Sequence, residues 1–284
     1  MTDRRVRTRS ITSPGQPPIV VSEWRERGRP LLFVHGFSHN RHVWDDLAPA
    51  LSGAHRPLAL DLRGHGDSGW SVEGRYSPTD YASDLPRVLD ALEIERAILV
   101  GHSLGGNAAT LFAAQHPERV SRLVLVDTGP SLSLDAMIHM ARDVSGALQS
   151  YASVAEYRDT LVSTYPLGSE ASLDRMASTG LVRRIDGRFE PRLDPGILSP
   201  STDRADWTSL EQKLWSALRG VRCRTLVVRG GVSAMLSEKA AREMVDAALG
   251  DAALANVPNA GHAVMVDDAP ALLSAIEKFL ATGS

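Results

Sequence analysis

Short apolar runs rich in Val, Ile and Leu alternate along this chain with longer amphipathic stretches. The runs are Ile19–Trp24, Leu31–His35, Arg56–Asp61, Ala97–Gly101, Arg122–Asp127, Arg224–Arg229 and Ala252–Val257, each of strand length. Ahead of them, Val6, Thr8 and Ser10 alternate with arginines and read as a solvent-edged first strand. From the third strand onward the intervals hold helix-like segments at Val43–Leu51, Pro78–Leu92, Leu104–His116, Glu238–Leu249 and Pro270–Ala281. Near-continuous apolar strands separated by helices predict an α/β fold, with a mostly parallel eight-stranded sheet covered on both faces. A Pro/Gly turn joins the first two apolar runs and predicts an antiparallel hairpin at one edge.

The interval between Asp127 and Arg224 breaks the rhythm. It is too long for a crossover and holds several helix-like pieces, Leu134–Leu148, Val154–Thr164 and Ala171–Thr179, with another at Trp207–Leu218 beyond a stretch punctuated by Gly187, Pro191, Pro195 and Pro200. A helical insertion after the sixth strand would sit over the strand ends, where α/β sheets bind ligands. The expected division is a core of residues 1–129 and 217–284 with a lid over 130–216; a second, unrelated small domain is the alternative.

Composition narrows the partners. The 34 acidic and 31 basic side chains leave a net charge of −3, which argues against a surface built to track nucleic-acid phosphates. The single cysteine, Cys223, allows neither an internal disulfide nor a cysteine-rich zinc site. Arg4, Arg5, Arg7 and Arg9 are followed by a polar, proline-broken stretch rather than the apolar core of a secretory signal. No run approaches the roughly 18 apolar residues that span a bilayer. A cytoplasmic, unprocessed protein acting on a small molecule is expected, with no nucleic-acid or membrane partner and its oligomeric state left open.

The strongest chemical signal is Gly101-His102-Ser103-Leu104-Gly105-Gly106, set between an apolar strand and a helix. Gly-x-Ser-x-Gly in that setting is a nucleophile elbow. The sharp turn strains the serine backbone, and glycines at 101 and 105 let strand and helix pass closely. The helix N-terminus then puts positive dipole beside a developing oxyanion, and the amide of Leu104 is one candidate donor to it. Phe33-Val34-His35-Gly36-Phe37 resembles the oxyanion motif of the α/β-hydrolase family, and that resemblance makes the Phe37 amide the second donor, with His35 bracing the loop. Asp61-Leu62-Arg63-Gly64-His65-Gly66-Asp67-Ser68 also looks like this family's tight turn after the fourth strand, held by hydrogen bonds of Arg63, His65 and Asp67. The family order of serine, acid and histidine implies a late base. Of nine histidines only His262, in Asn256-Val257-Pro258-Asn259-Ala260-Gly261-His262 before the final helix, has that placement. His102, inside the elbow, is expected to point elsewhere. The resemblance runs from about Val20 to the C-terminus and leaves only the lid unmatched. It is closest to capped esterases, lactonases, carbon–carbon bond hydrolases and cofactor-free perhydrolases.

The acid departs from that pattern. Where the family's usual carboxylate would follow the seventh strand, this chain reads Ser233-Ala234. Asp127, at the end of the sixth strand, is the candidate substitute. It resembles the arrangement of family members whose acid follows strand six, and the family's sheet order implies that strands six and seven are neighbours, about 4.8 Å apart. A turn-capping aspartate before Thr128-Gly129-Pro130 is the alternative reading, while Asp267 and Asp268 read as caps of the last helix. The resemblance implies a serine hydrolase acting on an ester, thioester, lactone or activated carbon–carbon bond, with catalytic residues Ser103, His262 and Asp127, oxyanion donors Phe37 and Leu104, and no metal or organic cofactor. A perhydrolase shares every one of these residues, and Ala234 also allows a non-catalytic ligand-binding protein on the same scaffold. Met137, Ile138, Met140, Leu161, Leu173, Met176, Trp207 and Trp215 fit an apolar substrate pocket or an ordinary lid core.

Overall fold

Leu31, Leu32, Phe33 and Val34 are all fully buried, and alternate residues join opposite hydrophobic clusters. A strand apolar on both sides belongs in the middle of a covered sheet. The computed structural model describes residues 6–130, 149–198 and 204–282. Its main sheet has eight strands: β1 (Arg7–Ser13), β2 (Gln16–Glu23), β3 (Arg29–Val34), β4 (His55–Leu60), β5 (Ala97–His102), β6 (Val120–Val126), β7 (Arg224–Gly230) and β8 (Ala252–Val257). They lie in the order β1-β2-β4-β3-β5-β6-β7-β8. β1 and β2 are antiparallel to each other and β2 to β4, while every other pairing is parallel.

The edge hairpin differs from expectation. The second and third strands do not pair, because β4 lies between them. The hairpin is β1–β2, closed at Pro14-Gly15 with Gly15 at φ +70°. Half-exposed β1 tolerates an edge, whereas β3 needs partners on both sides to bury its two apolar faces.

Helices α1 (Pro78–Ala91) and α2 (Leu104–Gln115) pack on one face with α6 (Glu238–Glu243), and α7 (Ala269–Ala281) covers the other. A Ser77–Asp80 capping box opens α1. The expected helix at Val43–Leu51 splits into a 3₁₀ turn, Arg41–Trp44, and a one-turn helix, Ala48–Leu51. Pro49 explains the split, since it is tolerated only in the first turn of a helix.

After β6 the described chain holds α3 (Val154–Thr164), α4 (Glu170–Thr179), a small ribbon pairing Leu181–Arg183 with Phe189–Pro191, and α5 (Arg204–Gly220). The expected helix Leu134–Leu148 lies outside the described residues. Leu161, Leu173 and Met176 are buried in the same cluster as Trp44 and Val264, so they serve as packing residues. Leu214 and Leu218 of α5 join the cluster on the α2 side. Among the described residues no helix is long and apolar enough to cross a membrane.

The insertion rests on the turn after β4. Gly66 N–H donates to the Arg192 carbonyl at 2.9 Å and Asp194 N–H to the Gly64 carbonyl at 2.8 Å. The expected bonds of that turn are partly present, with His65 Nδ1–H donating to the Arg63 carbonyl at 3.0 Å. Arg63 itself reaches out of the turn and grips Asp84 of α1 through Nε at 2.7 Å and Nη2 at 2.6 Å. Both side chains are buried, at 4% and 2% exposure. Asp84→Ala strands the Arg63 guanidinium and is expected to cost about 3–5 kcal/mol, measured by chemical denaturation. A loss below about 1 kcal/mol would place the pair with ordinary surface bridges.

Candidate active site

The elbow forms where β5 turns sharply into α2. Ser103 sits there at φ 51°, ψ −119°, a region L-residues rarely adopt. Glycine at 105 is required by space, since a Cβ there would lie 2.4 Å from the carbonyl oxygens of Val34 and His35. Ser103 N–H donates to the Val126 carbonyl at 3.2 Å, and the Thr128 hydroxyl donates to the Ser103 carbonyl at 2.9 Å. The strained residue is thus clamped to the end of β6.

Asp127, the next residue after β6, is also in left-handed backbone, at φ 44°. Aspartate tolerates that region better than most residues. Its N–H donates to the Val228 carbonyl at 2.7 Å, which ties the turn to β7. The carboxylate is fully buried. Oδ1 accepts from Gly230 N–H at 2.9 Å, and Oδ2 accepts from His262 Nδ1–H at 2.8 Å. On the far side of the imidazole, Ser103 O–H donates to His262 Nε2 at 3.0 Å. Residues 103, 127 and 262, scattered along the chain, therefore form one continuous hydrogen-bonded line. Of its two ionisable members only His262 is open to solvent, with its side chain 27% exposed.

The loop after β3 lies against this line. A Cβ on Gly36 would come within 3.1 Å of Ser103 Cβ, so the chain leading to Phe37 runs directly beside the serine. Leu104 opens α2, and its amide is one of the helix's leading N–H groups. His35 braces the loop as expected: Nδ1–H donates to the Gly36 carbonyl at 2.7 Å, and Nε2 accepts from Leu62 N–H at 3.0 Å.

Two further histidines stand behind His262. His102 Nε2–H donates to the backbone carbonyl of His262 at 2.9 Å, and the two rings are 4.7 Å apart. The His102 side chain thus holds the loop of His262, a contact its place in the elbow did not suggest. His39 stacks on His102 with ring centroids 5.5 Å apart and shares a 2.9 Å hydrogen bond with the Tyr165 hydroxyl of the insertion. Burial, then the charge of neighbouring His262, holds both rings neutral, with His39 pushed down to about 3.

Asp267 does not cap the last helix. Its Oδ2 accepts from Gly261 N–H at 2.8 Å and fixes the residue before His262, while Asp268 alone caps α7 through Ala271 N–H at 3.0 Å. The aspartates divide because only Asp268 is at the N-cap of α7. Among the described residues no three His, Cys, Asp or Glu side chains are grouped to hold a metal ion.

A model of the α/β-hydrolase fold family matches residues 29–269. The chain belongs to that family. A 2-(acetamidomethylene)succinate hydrolase of Mesorhizobium japonicum is 30% identical over 258 residues, covering 90% of each chain. The crystal structure of an E-2-(acetamidomethylene)succinate hydrolase superposes with a TM-score of 0.86 at 27% identity, covering 97% of this hydrolase and 99% of that chain. A serine hydrolase-like protein of Danio rerio is 34% identical over 177 residues, so the match spans 57% of this chain but only 54% of that protein. An esterase of Mycobacterium tuberculosis is 29% identical over 270 residues, covering 93% of this chain and 87% of that one.

Reading the sequence alone missed Ser233 as a partner of Asp127. It also missed Asp61, which accepts from Arg41 N–H at 2.7 Å and Asp67 N–H at 2.9 Å and pairs with the Arg41 guanidinium. The family-like turn from Asp61 to Ser68 was the available signal, but it does not say that Asp61 is the hub.

Proposed function

We propose that the protein is a serine hydrolase that forms an acyl-enzyme on Ser103. His262 takes the Ser103 proton as the oxygen attacks the carbonyl of a carboxylic ester, thioester, lactone or activated carbon–carbon substrate. The oxyanion is held by the amides of Phe37 and Leu104. His262 then protonates the leaving group and later activates the water that releases the acyl chain. Asp127 holds the imidazole with its proton on Nδ1, leaving Nε2 to accept. The single observation that carries this reading is the unbroken line from Ser103 Oγ through His262 to Asp127, at 3.0 and 2.8 Å.

Residues 130–216 act in this reading as a lid that shapes a small, largely apolar substrate pocket. Three contacts of the insertion support it: Tyr165 with His39, Ser169 N–H with the Val266 carbonyl, and Arg192 with the turn after β4. The relatives that hydrolyse esters and acetamidomethylene-succinate support hydrolytic chemistry without choosing between those bonds.

The test is active-site labelling. A fluorophosphonate probe is expected to react stoichiometrically, with peptide mapping placing the adduct on Ser103, and p-nitrophenyl ester turnover is expected to disappear as labelling completes. An unlabelled Ser103 in folded protein would leave a ligand-binding scaffold as the better account.

A further inference from the structure

Asp127 accepts three hydrogen bonds, and two of them fall on one oxygen. Gly230 N–H has Oδ1 to itself, whereas Oδ2 receives both His262 Nδ1–H at 2.8 Å and the Ser233 hydroxyl at 2.5 Å. The hydroxyl has little freedom to do otherwise. Met235 N–H donates to Ser233 Oγ at 3.0 Å, and Ser233 N–H donates to the Gly230 carbonyl at 3.0 Å, closing a tight turn after β7. Ser233 is 8% exposed and Asp127 1%, so water has little access to the shared oxygen.

We propose that Ser233 is a positioning residue that moderates the basicity of His262 by sharing the Asp127 oxygen that binds its imidazole. A donor on a carboxylate oxygen spreads that oxygen's negative charge. The imidazolium formed during attack on substrate is then held less tightly than by an undivided oxygen, and His262 more readily gives its proton to a leaving group. The other groups facing His262 are few. His102 from β5 and His39 from the loop after β3 are neutral, and Asp267 stands on the loop of the base itself. Among the described residues, the donors to Oδ2 are the Ser233 hydroxyl and His262 Nδ1–H.

The consequence for rate rests on the serine hydrolase reading, but the hydrogen-bond consequence does not. In Ser233→Ala the His262 Nδ1–H proton resonance should move downfield as its bond to Oδ2 strengthens. The acid limb of the kcat/KM profile should move to higher pH by about half a unit or more, since part of the effect of losing a charge-assisted hydrogen bond at the carboxylate passes on to the imidazole. Ser233→Thr keeps the hydroxyl and should restore both readings. Ser233→Cys, a weaker donor, should move both in the Ala direction by less, and serves if the alanine variant fails to fold. An unchanged or upfield resonance in Ser233→Ala overturns the proposal. A downfield shift in protein whose Ser103 takes no fluorophosphonate would overturn the hydrolase reading and leave the positioning role standing.

Discussion

Asp127→Ala is expected to lower kcat for a p-nitrophenyl ester about 10⁴-fold, the loss seen when the triad aspartate of the template serine protease is neutralised. The argument is one of tautomers. With Oδ2 accepting from Nδ1–H at 2.8 Å, the imidazole keeps its other nitrogen bare toward Ser103. Without the carboxylate, nothing fixes that choice and nothing offsets the cation formed during attack. A residual rate should persist through the oxyanion amides, so fluorophosphonate labelling of Ser103 should slow without vanishing. The companion variant is Ala234→Asp, which restores a carboxylate at the family's usual position. It should give no large gain, because His262 already has a buried carboxylate partner and a second one beside Ser233 brings like charge against it. Full activity in Asp127→Ala, or a thousandfold gain in Ala234→Asp, would show that Asp127 is only a turn residue.

Ser103 and His262 were legible in the chain because each carries a local signature, an elbow glycine pattern for one and a Gly-His pair before the last helix for the other. The run of apolar strands separated by helices likewise made the sheet legible. Asp127 was legible only as a candidate. An aspartate ending a strand before Thr-Gly-Pro satisfies turn chemistry as well as catalysis, and what brings it to His262 is its left-handed backbone and the adjacency of β6 and β7. Those facts are made by the fold. Ser233 was less legible still, because a loop serine has no pattern of its own and its partner lies 106 residues away. The misplaced edge hairpin has a similar origin: turn residues between two runs suggested pairing, while the burial of β3 on both faces required β4 and β5 as its neighbours.

Between pH 7 and 5 the protein is expected to lose stability steeply, through four histidines that fold into its interior uncharged. His35, His39, His65 and His102 are each at most 5% exposed. Burial pushes each below the ordinary value near 6.5, His65 to about 4 and His39 to about 3, with neighbouring histidines adding to the effect for His35, His39 and His102. For His35 the reason is visible in its bonds: Nε2 accepts from Leu62 N–H and cannot do so once protonated. A base whose folded form resists protonation contributes stability that is intact above about pH 6.5. As pH falls, the unfolded chain gains protons the native state refuses, and each histidine costs about 1.4 kcal/mol per pH unit. At pH 5.5 the four together cost about 5–6 kcal/mol, against a total stability of about 5–15 kcal/mol for ordinary domains. Asp61 and Asp267, whose carboxyls burial pushes up, act in the opposite direction. Calorimetry should therefore find Tm nearly level from pH 8 to 7 and falling steeply below 6.5. Buffers of different ionisation enthalpy should report a net uptake of several protons on unfolding at pH 5.5, and His65→Gln should lower it by about one. A Tm that stays level down to pH 5.5 would mean that these rings accept protons inside the fold, and the neutral histidine array behind the base would have to be abandoned.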